Sequence, residues 1–160
     1  MNKQHLLQQI IATLEADLAL FSDAAKAAHQ AATHEQCQPD NKYDTTALEA
    51  SYVAQGQANR AAEIRGALEC YRSLELQEFD DTTPVRLTAL LTLEDSKGAT
   101  RRVFLGPEAG GMKIDCAGEC CVVVTPEAPL GRALLGKLCD DEVEIGAGKA
   151  RTSYLVIEVV

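Results

Sequence analysis

Apolar residues recur along the first seventy positions at alternating steps of four and three. Leu7, Ile11, Leu14, Leu18, Phe21, Ala25, Ala28 and Ala32 form one such series. This is the a/d seam of a coiled coil, and it predicts a long first helix. No Pro or Gly interrupts residues 1–38, and Pro39 ends the pattern, because its ring and missing N–H oppose helix continuation. A second seam reads Ala47, Ser51, Ala54, Ala58, Ala61, Ile64, Leu68 and Tyr71. Its start lies near Asp44-Thr45-Thr46, where Asp or Thr can cap the first backbone N–H groups and Thr46 with Glu49 fits a capping box. Gly56 and Gly66 weaken this helix by about 1 kcal/mol each relative to Ala.

The two seams run in opposite senses. The first goes from large (Leu7, Ile11) to small (Ala28, Ala32); the second goes from small (Ala47, Ser51) to large (Leu68, Tyr71). Folded antiparallel, small meets small near the turn and large meets large at the open end. That match predicts a helical hairpin rather than a parallel dimer, although a/d seams also drive oligomers. Helices of this length reach about 40–45 Å at 1.5 Å per residue. The tip, residues 33–45, is polar and carries the turn formers Pro39, Asp40 and Asn41.

Asp80-Asp81-Thr82-Thr83-Pro84 breaks the helical period and reads as a linker. Beyond it the period changes to two. Val85, Leu87, Ala89, Leu91 and Leu93 alternate with Arg86, Thr88, Leu90, Thr92 and Glu94, which predicts a strand. Asp95-Ser96-Lys97-Gly98 is a turn and Thr100–Leu105 the return strand. Gly106 to Gly111 is a loop. Cys121–Thr125, Glu142–Ile145 and Tyr154–Val160 are further strands, and Pro129–Gly136 is one short helix with Pro early and Gly at its end. The expected fold is therefore α+β: an N-terminal antiparallel coiled-coil helical hairpin over residues 1–76, then a small antiparallel β-domain with one short helix over residues 84–160.

Composition agrees with this division. Ala is abundant early and Val late, as helix and strand preferences require. Apolar residues make up 46% of the 160 residues, enough for a core and against wholesale disorder. The net charge is −9, and neither half is basic: residues 1–75 hold 10 acidic and 6 basic side chains, residues 76–160 hold 14 and 9. A face that neutralises phosphates needs clustered Lys and Arg, so direct sequence-specific nucleic-acid contact is not expected. An acidic surface is steered instead towards a basic protein partner. Met1 is followed by the polar run Asn2-Lys3-Gln4-His5, and no apolar stretch is long enough to span a bilayer. A cytoplasmic protein with no membrane partner is expected, and its six cysteines should be thiols.

The most specific motif is Ala128-Pro129-Leu130-Gly131-Arg132-Ala133-Leu134-Leu135-Gly136-Lys137, followed by Asp141-Glu142-Val143-Glu144. It resembles the C-terminal signature of the GreA/GreB-type transcription elongation factors: a Pro, a short Arg-Ala-Leu-Leu-Gly helix, then an Asp-Glu-Val strand. The resemblance is strong over residues 121–145 and looser over the hairpin. It implies an FKBP-like β-domain that docks on the rim of the RNA polymerase secondary channel, with Pro129, Gly131, Arg132, Gly136 and Lys137 as docking candidates. Asp140 stands where the family usually has Gly, a departure that bears on the geometry of that turn. The plain structural reading of the same residues is packing: Leu130, Leu134 and Leu135 as core, Gly131 and Gly136 as turns.

The resemblance also frames the tip. Cleavage-competent members carry two tip carboxylates, Asp-x-x-Glu, that help hold a Mg²⁺ at the polymerase active site, and hard oxygen ligands suit that ion. Aligning Tyr52 with the family's tyrosine just beyond the acidic pair puts Thr45 and Leu48 at the acidic positions. Neither offers a carboxylate. Asp40, Lys42, Tyr43, Asp44, Glu49 and Tyr52 remain as contact candidates at the tip, against the plainer reading of a solvated turn with Asp44 as a cap. Cys116-x₃-Cys120 fits only half of a structural zinc site, and no metal or cofactor is expected. His5, His29 and His34 have no partner spacing for catalysis, and no phosphate loop or nucleophile elbow is present. The expected protein is thus a monomeric RNA polymerase-binding elongation regulator acting through the secondary channel, a divergent Gre paralogue rather than an enzyme. The alternatives are a coiled-coil adaptor or dimerisation protein without polymerase binding, and an FKBP-like chaperone.

Overall fold

The computed structural model describes residues 2–33, 46–80, 82–116, 118–148 and 151–160. Nine elements follow one another among them: α1 (Lys3–Thr33), α2 (Thr46–Arg72), β1 (Leu90–Asp95), β2 (Thr100–Leu105), β3 (Lys113–Cys116), β4 (Glu119–Val124), α3 (Pro129–Leu134), β5 (Glu142–Ile145) and β6 (Thr152–Val159). The fold is α+β, a helical hairpin and a six-stranded, mostly antiparallel sheet. Two compact units are present: Ile11–Glu69, and Met1–Ile10 together with Cys70–Val160.

In the helical unit, the large end of the expected gradient is buried. Leu14, Ala61, Ile64, Ala67 and Leu68 are buried at one end. Towards the other end the small seam residues Ala25 of α1 and Ser51, Ala54 and Ala58 of α2 line an open groove together with Lys26, His29 and Gln55. Ser51 and Ala58 are exposed there, not sealed in a seam. The start of α1 is capped by Asn2, whose Oδ1 accepts from the Gln4 and His5 amides at 2.8 and 3.2 Å. That satisfies two of the four N–H groups a helix start leaves open.

The sheet order is β3-β4-β2-β1-β6-β5. All pairs are antiparallel except β2 with β4. The parallel pair arises because β3 intervenes: the chain leaves β2, runs along the outer edge as β3, and returns beside β2 as β4. The loop reading of residues 106–111 holds, but β3 was not anticipated. It has four residues, Lys113-Ile114-Asp115-Cys116, of which only Ile114 is a strong strand former.

One face of the sheet holds a continuous core. Leu91 and Leu93 of β1, Val103 and Leu105 of β2, Val124 of β4 and Val156 and Val159 of β6 lie under Leu130 and Leu134 of α3, with Val85 and Val143. Register carries the other face: Leu90 opposes Phe104, Phe104 opposes Val123, and Ile114 opposes Cys121. All five are buried. Leu6, Ile10 and Tyr71, in the same unit, are buried completely. Leu6 and Ile10 fall outside the predicted seam, and Ile11 inside it is only half-buried. Periodicity alone cannot report a second face being covered.

The strand predicted from Val85 is a correction. β1 begins at Leu90, five residues later. The chain turns before it, with the Ala89 amide donating to the Arg86 carbonyl at 3.1 Å and Thr88 in the left-handed region at φ 73°. Thr88 is buried and doubly held: its N–H donates to the Leu105 carbonyl at 2.8 Å, and its Oγ1 accepts from the Gln77 amide at 2.9 Å. Val85 is buried for a different reason. Its N–H donates to the Lys137 carbonyl and its carbonyl accepts from the Gly136 amide, both at 2.8 Å. This pair clips the start of the β-region to the end of α3.

Candidate functional site

The Pro129–Lys137 motif is built as a short helix closed by a left-handed turn. Pro129 occupies the first turn of α3, where a missing N–H costs nothing. The Ala128 carbonyl accepts from the Arg132 amide at 2.9 Å and the Gly131 carbonyl from the Leu135 amide at 3.0 Å. Gly136 follows at φ 77°, the conformation that favours glycine at a helix end. Lys137 then donates its amide to the Leu134 carbonyl at 3.1 Å.

Gly131 is not a turn residue. It is buried inside α3, and a Cβ at this position would stand 2.0 Å from the Thr125 carbonyl oxygen. Only glycine lets α3 approach the end of β4 this closely. Arg132 folds back along the same segment: its Nε and Nη2 donate to the Glu127 carbonyl at 3.0 and 2.7 Å. Its guanidinium thus braces the approach to α3 while its side chain stays exposed.

Pro129, Arg132 and Gly136 are exposed and Lys137 half-buried, whereas Gly131 is buried. Leu130 and Leu134 are core, as expected, but Leu135 is exposed. Lys137 lines an open groove with Ala133, Glu142, Val143 and Glu144. Glu142 and Glu144 are site residues the sequence reading passed over. Their signal was present in Asp141-Glu142-Val143-Glu144, a strand whose polar positions all carry charge.

Asp140 keeps the geometry a glycine would adopt. Its φ is 70°, its amide donates to the Val156 carbonyl at 2.8 Å, and the next residue, Asp141, accepts the Leu138 amide on Oδ2 at 2.9 Å. Asp tolerates the left-handed region better than most side chains, so the departure leaves the turn intact.

Among the helical candidates, Glu49 and Tyr52 lie on α2 and are exposed. Tyr52 is 70% accessible, with Leu48 and Val53 beside it in sequence also exposed. Asp40, Lys42, Tyr43 and Asp44 lie outside the described residues, as do the turn at Pro39 and the cap at Asp44. The structure therefore brings together the α3 candidates, and of the tip set it describes Glu49 and Tyr52. Cys120 is exposed and Cys121 buried, on opposite faces as strand alternation requires. Among the described residues no three His, Cys, Asp or Glu side chains group to hold a metal ion, and no helix is long and apolar enough to cross a membrane.

Within the sheet unit a second polar cluster gathers Tyr71, near the end of α2, and Lys3 with the segment that follows α2. Tyr71 Oη donates to the Glu108 carbonyl at 2.7 Å, and burial pushes its phenol well above the usual range. A side chain at Gly106 would meet that hydroxyl, with a Cβ 2.1 Å away. Lys3 donates to the Gln77 carbonyl, and its Nζ lies 4.7 Å from the Phe79 ring centre, with Arg86 also 5.6 Å from that centre. Burial lowers the Lys3 pKa.

No family model matches the chain. In sequence it is similar to the transcription elongation factor GreA of Maridesulfovibrio salexigens, 29% identical over 117 residues, covering 66% of this chain and 69% of that protein. Among solved structures it is similar to the GreA factor homolog 1 (Gfh1) of Thermus thermophilus, at 21% identity, 94% coverage of both chains and a TM-score of 0.40. It is also similar to a GreA/GreB elongation factor of Nitrosomonas europaea, at 20% identity, 61% and 78% coverage and a TM-score of 0.37. On the α3–β5 motif and the GreA sequence match, this chain resembles the GreA/GreB-type transcription elongation factors.

Proposed function

We propose that this protein is a transcription elongation regulator that binds RNA polymerase through its secondary channel. The observation that carries the reading is the α3–β5 motif, within a chain whose sequence aligns with GreA over 117 residues. In this reading residues 84–160 dock on the polymerase through Pro129, Arg132, Gly136 and Lys137, while buried Gly131 fixes the backbone that presents them. The hairpin of residues 1–76 carries Asp40, Lys42, Tyr43, Asp44, Glu49 and Tyr52 towards the polymerase active site. The protein works in the cytoplasm as a monomer and supplies no catalysis of its own. It makes no sequence-specific nucleic-acid contact, in keeping with the net charge of −9.

Its action is modulation by occupancy. Thr45 and Leu48 take the places where cleavage-competent relatives carry carboxylates, so those two positions lack the hard oxygen pair that suits a Mg²⁺, and only Asp40 and Asp44 could stand in for it. The test is a pull-down of polymerase on backtracked elongation complexes with transcript cleavage followed on the same sample. Polymerase captured without faster cleavage is the expected result. Faster cleavage that Asp40→Ala or Asp44→Ala removes would assign the tip to metal assistance. Failure to capture polymerase would sink the reading and leave the coiled-coil adaptor in its place.

A further inference from the structure

The sheet has a second exposed surface that the polymerase reading does not use. α3 covers one face, where Leu93 opposes Val156 and Val143 opposes Tyr154. On the opposite face, register aligns Glu142 of β5 with Leu155 of β6, and Leu155 with Glu94 of β1. One row further, Glu158 opposes Thr92 and is held by it, the Thr92 hydroxyl donating to Glu158 Oε2 at 2.8 Å. A bulge lies between these rows, where the register shifts at Thr92/Leu93 and Ile157 is the extra residue. Bulges re-aim side chains, and this one leaves Ile157 36% accessible next to a fully buried Val156. Leu155 is 37% accessible.

Two aliphatic side chains therefore stand exposed on a sheet face ringed by Glu94, Glu142 and Glu158. Arg151 neutralises Glu144 at 2.7 Å, and Arg102 sits 3.4 Å from Glu119 one strand further along. These two guanidiniums thus lie against other carboxylates, and Lys137, which lines a groove with Glu142, is one ammonium against three ring carboxylates, so the ring stays net negative. Nucleic acid and anionic bilayers are repelled by such a surface. A second copy of a chain with net charge −9 would set carboxylate against carboxylate.

We propose that this outer face of β1, β6 and β5 docks a basic, partly apolar protein segment, with Leu155 and Ile157 as its apolar contacts and Glu94, Glu142 and Glu158 fixing its cations. The surface lies across the sheet from α3 and does not rest on the polymerase reading, although Glu142 at its edge also lines the groove of Lys137.

The probe is a short amphipathic Lys/Leu peptide titrated into the isotope-labelled full chain, followed by amide chemical shifts. The expected shifts concentrate on Thr92, Glu94, Glu142 and residues 155–158. Leu155→Ser with Ile157→Ser should weaken binding roughly tenfold, the size of an ordinary anchor loss. Glu142→Lys, which leaves the aliphatic pair in place, should weaken it too and flatten its salt dependence. Unchanged amide spectra away from the patch establish that the variants are folded. The proposal is overturned if a Lys/Ser peptide of equal charge binds as tightly, if shifts spread over the acidic surface generally, or if either variant binds unchanged. Concentration-dependent dimerisation lost in the Ser variant would overturn it in favour of a second copy.

Discussion

The two units keep their order by different means. In the unit of Met1–Ile10 and Cys70–Val160, the sheet has a core on its α3 face and buried Leu90, Phe104 and Val123 on part of the other, and large side chains such as Leu6, Ile10, Tyr71, Phe104 and Leu134 are fully buried. In Ile11–Glu69, burial stops at Leu14 on α1 and starts at Ala61 on α2. Between those limits no residue whose exposure is described is buried, and Leu20, Leu48, Tyr52 and Val53 are more than half exposed. An alanine buries too little area to hold two helices together strongly, so that stretch depends on local helix preference. The same chain thus uses tertiary packing in one place and intrinsic propensity in another. The stretch that packs least is the one that carries Glu49 and Tyr52, contact candidates in the proposed reading.

Substitutions can break this contrast. The largest effect is expected for Ile10→Ala, a complete truncation of a buried side chain, at about 3 kcal/mol lost in urea unfolding. A loss below about 1 kcal/mol would mean that the second face is not a core. Gly131→Ala comes next, at about 2–3 kcal/mol destabilising, because its Cβ has no room beside the Thr125 carbonyl. The identical change at Gly56, which has open space around it on α2, should act in reverse and raise stability by about 1 kcal/mol, seen as a higher thermal midpoint of the helical circular dichroism signal. Opposite signs for one substitution would sharpen the comparison; equal signs would dissolve it.

The smallest effect concerns acid. Asp80 is held below the usual carboxyl range by donors from Thr83 and Thr82, the Thr83 hydroxyl foremost. A carboxyl lowered on folding adds stability above its unfolded pKa of about 4, and that contribution disappears as pH falls through the folded value. Asp80→Ala should therefore unfold with a shallower loss of stability on acidification below about pH 4, and behave like the parent chain as acid removes the difference. Equal acid slopes in the two proteins would show the turn to be without consequence.

Much of the fold was legible because its signals were periodic. The α1 and α2 seams, the return strand Thr100–Leu105 and the strand Glu142–Ile145 each carry a repeat that one covered face imposes. What escaped lacks that signature. Leu6 and Ile10 are buried off the seam, β3 is too short for a period, and Val85 is buried through backbone bonds to Gly136 and Lys137 rather than as part of a strand. At the candidate site the motif was readable as a string, but not the cause of its glycines. Gly136 serves a left-handed turn, as expected; Gly131 serves a close approach to Thr125 that no pattern along the chain encodes. The exposed pair Leu155 and Ile157 was hidden for a related reason, since a bulge shifts the alternation that would have sorted them.

The strand order has a consequence for synthesis. β6 is made after the other five strands of the sheet, yet it sits between β1 and β5. Until residue 159 has left the ribosome, β1 has only β2 beside it, and its free edge is the one that Tyr154–Val159 will occupy. Over that interval Leu91 and Leu93 lack their partners, and an open apolar edge recruits other chains. The vulnerable period is therefore the translation of the stretch between β2 and the end of β6, residues 106–159.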